Sequence, residues 1–152
     1  MTDVTFYMLE EPDAQHPAHW LIACEIAAQC FRTKRRCLVL CDDQAGAEAF
    51  DELLWQQPLD GFVPHNLTGE GPKGGAPVEI CWQQPLPAGR PVLINLSKSL
   101  PQNANRFKQI LDFVPAEDTA KQQARDRYKH YRAAGLTMHT QPASNIYEKQ
   151  DG

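Results

Sequence analysis

Short apolar runs along the chain alternate with longer stretches of helical spacing. Val4-Thr5-Phe6-Tyr7-Met8-Leu9 is rich in β-branched and aromatic residues and predicts a first strand. A polar turn with Pro12 and Pro17 follows. Leu21, Cys24, Ala28 and Phe31 then recur at a helical period and predict a helix over 18–31. Pro17 suits its first turn, and Thr33-Lys34-Arg35-Arg36 sets positive charge at its C-terminal end. Cys37-Leu38-Val39-Leu40-Cys41 is apolar throughout, the pattern of a strand buried on both faces. Asp42-Asp43 ends that strand and opens a helix over 44–55, with Ala47, Phe50 and Leu54 as its stripe and Leu53 beside it.

From Gln56 to Pro77 the chain is dense in Gly and Pro and predicts one long loop. Ordered loops of that size tend to be functional. Val78–Trp82 and Val92–Leu96 read as strands around a turn at 85–91. A short helix over 103–109 leads to a strand at 110–114, closed by Pro115. The residues 117–133 form a strong helical pattern. Glu117 and Asp118 sit at its positive end and Gly135 marks its stop. The polar residues after Gln141 are expected to be mobile, so one α/β domain is assigned to 1–140 and a flexible C-terminal tail to 141–152. The alternation predicts an α/β fold with a mostly parallel sheet flanked by helices on both faces.

Composition narrows this further. With 152 residues, one domain is expected, large enough for a core without staples. The N-terminus lacks the pattern of a leader peptide, and no apolar run is long enough to span a membrane. Cys24, Cys30, Cys37, Cys41 and Cys81 lie in apolar stretches without a CxxC pair. They read as buried free thiols of a cytoplasmic protein rather than zinc ligands. His16, His19, His130 and His139 show no metal-ligand spacing either.

Charge is segregated. The net charge is −4, from 15 basic and 19 acidic residues, which disfavours a protein that coats DNA. Between Cys37 and Pro72 there is no Lys or Arg, yet Asp42, Asp43, Glu48, Asp51, Glu52, Asp60 and Glu70 are present. Between Lys121 and Arg132, Asp126 is outnumbered by Lys121, Arg125, Arg127, Lys129 and Arg132. Lys121, Arg125, Tyr128 and Arg132 are spaced four, three and four apart, one stripe of a helix. Such a stripe is either a solvated face or a site for an acidic peptide or a nucleic-acid backbone. Trp55, Leu59 and Phe62 form a second feature, as core plugs or as an exposed aromatic anchor.

Signs of catalysis are weak. Gly69-Glu70-Gly71-Pro72-Lys73-Gly74 matches G-x-G-x-x-G, but it precedes a strand and carries Pro72 and Glu70 where phosphate would sit. A structural turn is the simpler reading. His65 and Asn66 could anchor the loop or form a reactive pair, and Asp42 and Asp43 could cap a helix or act at a strand end. An α/β enzyme or nucleotide-binding protein using Asp42, His65 and Gly69–Gly75 is the alternative reading. Direct single-stranded DNA binding by the basic helix is a third, with little expected.

Several segments carry a family resemblance. They are Thr5-Phe6-Tyr7, Cys24-Glu25-Ile26-Ala27-Ala28 and Asp51-Glu52-Leu53-Leu54-Trp55. The most specific is Phe62-Val63-Pro64-His65-Asn66-Leu67, continued by Gly69–Pro72 and Gly74–Ile80. Asp112–Pro115, Glu117-Asp118, Lys121, Ala124-Arg125, Arg127–Lys129 and Tyr131-Arg132 complete it. With these the chain resembles the chi subunit of bacterial DNA polymerase III over nearly its whole length. The segments 83–90, 98–106 and the residues after Thr137 depart from the pattern. The resemblance implies a cytoplasmic, replisome-associated adaptor without enzymatic activity. It implies a nucleotide-binding-like topology without a nucleotide site, and no cofactor or metal. It further implies binding of the acidic C-terminal tail of single-stranded DNA-binding protein through Lys121, Arg125, Tyr128, Lys129 and Arg132, with Arg125 foremost. The psi subunit of the clamp loader would engage Trp55 and Phe62. Whether a helicase competes for that surface is open from the residues.

Overall fold

The computed structural model describes residues 2–9, 18–57 and 61–148. A seven-stranded sheet forms the centre, in the order β3-β4-β2-β5-β6-β1-β7. The strands are β1 (Asp3–Met8), β2 (Cys37–Leu40), β3 (His65–Leu67), β4 (Val78–Cys81), β5 (Val92–Asn95), β6 (Gln109–Val114) and β7 (Thr137–Pro142). All the neighbouring pairs run parallel. The helices are α1 (Ala18–Arg32), α2 (Gln44–Gln56), α3 (Asp118–Ala133) and the short α4 (Asn145–Glu148). No helix among the described residues is long and apolar enough to cross a membrane.

The apolar runs become the inner strands because both of their faces are covered. β2, β4 and β5 are buried at every residue. On one face Val39, Ile80 and Ile94 pack with Ala23, Ala27, Phe50 and Leu54 of α1 and α2. On the other, Leu38, Leu93, Ile110, Val4 and Phe6 pack with Ala124 and Tyr131 of α3. Period-two alternation thus divides each strand between two cores. All five cysteines are buried and free. Burial pushes the Cys24, Cys41 and Cys81 thiols up to about 12, which leaves them unreactive.

Two strands and a helix depart from the sequence reading. β3 lies inside the predicted Gly/Pro loop, where only three residues pair with β4. The domain also extends beyond 140. β7 carries the chain to Pro142, Ala143 donates its N–H to Met8 O, and Ile146 of α4 is buried against α1. Gln29 Nε2 fastens the segment by donating to Ile146 O at 2.8 Å. For residues 141–148 the tail assignment is therefore corrected: the polar sequence conceals the end of an edge strand, which needs no continuous apolar run, and a short helix. The last residues of that tail, 149–152, lie outside the described residues, as do Pro12, His16, Pro17 and Leu59. The predicted helix at 103–109 shrinks to a 3₁₀ turn at Ala104–Arg106.

Candidate functional site

The basic stripe stands on a helix fixed from beneath. Residues Ala124, Arg127 and Tyr131 form the buried face of α3, spaced three and four apart. The sequence counts Arg127 among the charges of this helix, outside the stripe, and in the fold it is buried. Its Nε and Nη2 donate to Asp112 Oδ2 and Oδ1 at 3.1 and 3.0 Å, and Asp112 is fully buried on β6. Tyr131 Oη and Asn95 Nδ2 also donate to Asp112, at 3.0 and 3.2 Å. A carboxylate in the middle of an apolar strand needs such partners, and Asp112 is the signal in the sequence that could have found Arg127. Glu117 caps α3 by accepting from Thr119 and Ala120. The Ala120 and Thr119 N–H groups hold the Glu117 carboxyl below the usual carboxylate range.

With Arg127 turned inward, the outer charges are those of Lys121, Arg125, Lys129 and Arg132. Arg125, Lys129 and Arg132 are exposed and Lys121 is half-buried. None of the four has a salt bridge among the described residues. Tyr128 is half-buried, with its ring 5.4 Å from Phe6 of β1. The Arg132 guanidinium lies 5.8 Å from the centre of the Tyr128 ring. Val114, Leu136 and Met138 are partly buried against the same core, so apolar surface adjoins the charges. The sequence reading missed these three, because in sequence they belong to different elements.

The second surface lies on the other side of the sheet. Trp55 and Phe62 are 56% and 61% exposed, so they are not core plugs. Their rings are 5.4 Å apart and inclined at 32°. His65 supports them, its ring 4.7 Å from Trp55. The His65 side chain is itself buried. Its Nδ1 meets Val63 O at 2.7 Å, and its Nε2 meets Asp51 O and Oδ1 at 3.2 and 3.3 Å.

The residues of the alternative enzyme reading do not meet. His65 is level with Val78 and Cys37 at the start of the strands, whereas Asp42 follows the end of β2. Cys37 and Asp42 are five residues apart along β2 and its extended exit, roughly 16 Å. Asp42 Oδ1 accepts the Lys98 N–H at 2.8 Å, and Asp43 caps α2 through Gly46 N at 2.7 Å. The glycine loop folds on Asn66, whose Oδ1 accepts from Ala76 N at 2.6 Å and whose amide would lie 2.5 Å from any Cβ at Gly71. A cleft of about 270 Å³ at the carboxyl ends of the strands is lined by His19, Trp20, Asp42, Lys98, Gln123 and Arg127, among others. Burial and the nearby Arg127 bring His19 down to about 4, so it is neutral there near pH 7. No group of three His, Cys, Asp or Glu side chains suited to a metal ion occurs among the described residues.

Comparison with known proteins gives the family. A family model described as DNA polymerase III chi subunit, HolC, matches residues 1–139. DNA polymerase III subunit chi of Escherichia coli (strain K12) is 46% identical over 144 residues, covering 92% of this chain and 97% of the relative. The subunit chi of Haemophilus influenzae is 43% identical over 122 residues, covering 79% and 84%. That of Pseudomonas aeruginosa is 32% identical over 138 residues, covering 91% and 94%. Among solved structures, the crystal structure of T4 UvsW superposes with a TM-score of 0.57 at 8% identity, over 93% of this chain and 41% of that longer one. That likeness concerns the fold alone.

Proposed function

Since the chain belongs to the DNA polymerase III chi-subunit family, we propose that it works as a non-catalytic adaptor of the replicative holoenzyme. The α3 surface takes the acidic C-terminal tail of single-stranded DNA-binding protein. The Trp55–Phe62 surface takes the psi subunit, which joins the assembly to the clamp loader.

One observation carries the reading of α3. Arg125, Lys129 and Arg132 are exposed without a salt bridge among the described residues, beside the half-buried Tyr128 ring. An acidic tail ending in an apolar residue and a free carboxylate supplies what that surface lacks. Its carboxylates match the guanidinium forks, and its side chain matches the strip of Tyr128, Val114, Leu136 and Met138. Nucleic acid shares the negative charge and can stack a base on Tyr128, but it has no aliphatic side chain to set against Val114, Leu136 and Met138. Rim charges of this kind speed capture and make it sensitive to salt.

The test is a fluorescence anisotropy titration with a labelled peptide copying the last residues of single-stranded DNA-binding protein. Binding of micromolar order is expected, with Arg125→Ala weakening it at least tenfold in a protein that still melts cooperatively. Full affinity in folded Arg125→Ala protein would overturn the assignment. An oligonucleotide that binds as tightly as the peptide would favour direct DNA binding instead.

A further inference from the structure

The outer face of α2 mirrors that of α3 with the charge reversed. Glu48, Glu52 and Trp55 are spaced four and three apart, so two carboxylates lead along one stripe to the exposed indole. On α3 the corresponding order is Lys121, Arg125 and Tyr128. Both glutamates are exposed. Neither has a salt bridge among the described residues, and Glu48 has only the neutral Gln44 amide, at 3.1 Å. Asp51, on the same helix, is engaged by His65.

Two further features raise the negative potential there. The last turn of α2 has no basic residue, so no side chain of that turn offsets the partial negative charge of its free carbonyls. That turn holds Trp55. The sequence from Cys37 to Pro72 also contributes no Lys or Arg. Like charges four residues apart work against the helix itself, so the arrangement costs α2 a little stability within the free subunit. A cation supplied from outside would relieve it.

We infer that the segment docking on Trp55 and Phe62 is a basic-apolar polypeptide, with an Arg or Lys lying along Glu48 and Glu52 and an apolar side chain covering the two rings. This rests on the assignment of that surface to the psi subunit and adds the chemistry the partner must present. A guanidinium suits the place best, because it can pair with carboxylate and stack on the indole together. Nucleic acid and acidic peptides are repelled from the same face. The subunit is thereby polarised: one side of the sheet selects acidic partners and the other selects basic ones, which keeps the two from exchanging sites.

The experiment measures the Kd of the full chain for purified psi subunit at about 50 and about 300 mM salt, where screening differs strongly. The expected result is that Glu48→Gln with Glu52→Gln weakens association about fivefold at low salt and removes most of the salt dependence. Glu48→Asp with Glu52→Asp should keep much of both. Trp55→Ala with Phe62→Ala should abolish association at either salt. If the aromatic pair matters but the Gln variant keeps both its Kd and its salt dependence, this inference fails while the psi assignment stands. If psi binding survives loss of both aromatics, the assignment fails and the inference with it. Sedimentation of the chain alone gives a third outcome: self-association lost in the Gln variant would make the occupant a second copy and overturn the proposal. Unchanged far-ultraviolet circular dichroism confirms that α2 persists in each variant.

Discussion

Arg127 grips Asp112 through two nitrogens, Nε at 3.1 Å and Nη2 at 3.0 Å, with the aspartate fully buried. That pair joins α3 to β6. It places the outer stripe of α3 beside β1 and β7 without help from the charges that face solvent.

Breaking the pair from one side leaves a charge buried alone. Asp112→Ala or Arg127→Ala should each cost about 3–5 kcal/mol of stability in urea denaturation. Replacing both with apolar residues should cost much less than the sum of the two. Tyr131→Phe removes one neutral donor to Asp112 and should cost about 1 kcal/mol. Equal losses for Arg125→Ala and Arg127→Ala would contradict the division between outer and inner arginines.

His19 makes the protein sensitive to acid. Its ring lies 5.7 Å from Phe113, in the cleft with Asp42 and Arg127. Burial first, then Arg127, lower it from 6.5 to about 4, with Asp42 opposing. The unfolded chain therefore binds the proton between about 6.5 and about 4 while the folded chain does not. The stability is complete above 6.5 and is lost as pH falls toward 4, up to about 3 kcal/mol for this one group. A series of thermal melts from pH 7 to pH 4 should show that loss, and His19→Gln should flatten it.

Gly75 tests the glycine loop. Its φ is +78°, and a Cβ there would run into the Glu79 carboxylate and the Arg90 guanidinium. Those two side chains pair at 3.2 Å, both buried, and Arg90 also donates to Cys37 O and Pro77 O. Gly75→Ala should destabilise the fold by about 2–3 kcal/mol, measured by chemical denaturation. Gly69→Ala, with φ +90° but open space around it, should cost only the backbone strain, about 1 kcal/mol.

His65 is predicted to serve the aromatic pair rather than catalysis. His65→Leu removes the contacts to Val63 O and Asp51 while keeping apolar bulk under Trp55. The expected outcome is a shifted and broadened Trp55 fluorescence with weaker psi association and unchanged binding of the acidic tail peptide. Equal weakening of both would place His65 in the general fold instead.

How much of this was legible in sequence differs from element to element. The apolar runs at Cys37–Cys41 and Val92–Leu96 marked inner strands, because burial on both faces leaves no polar position. The 3.6-residue period marked α1, α2 and α3, and it also put Lys121, Arg125, Tyr128 and Arg132 on one stripe. Edge strands carry no such mark. β7 reads Thr-Met-His-Thr-Gln-Pro and β3 is three residues in a Gly/Pro-rich segment, yet both complete the sheet.

The sequence by itself determined the α/β class, the division of charge between two helices and the family, since all three depend on residue types and their spacing along one chain. Only the tertiary structure decided which charges face water. Arg125 and Arg127 are two residues apart and chemically the same, and what separates them is a carboxylate on β6 waiting under one face of the helix. It likewise decided that Trp55 and Phe62 are exposed, and that Asp42 and His65 stand at opposite ends of the strands. Burial and proximity arise from packing between segments distant in sequence, and no local pattern records them.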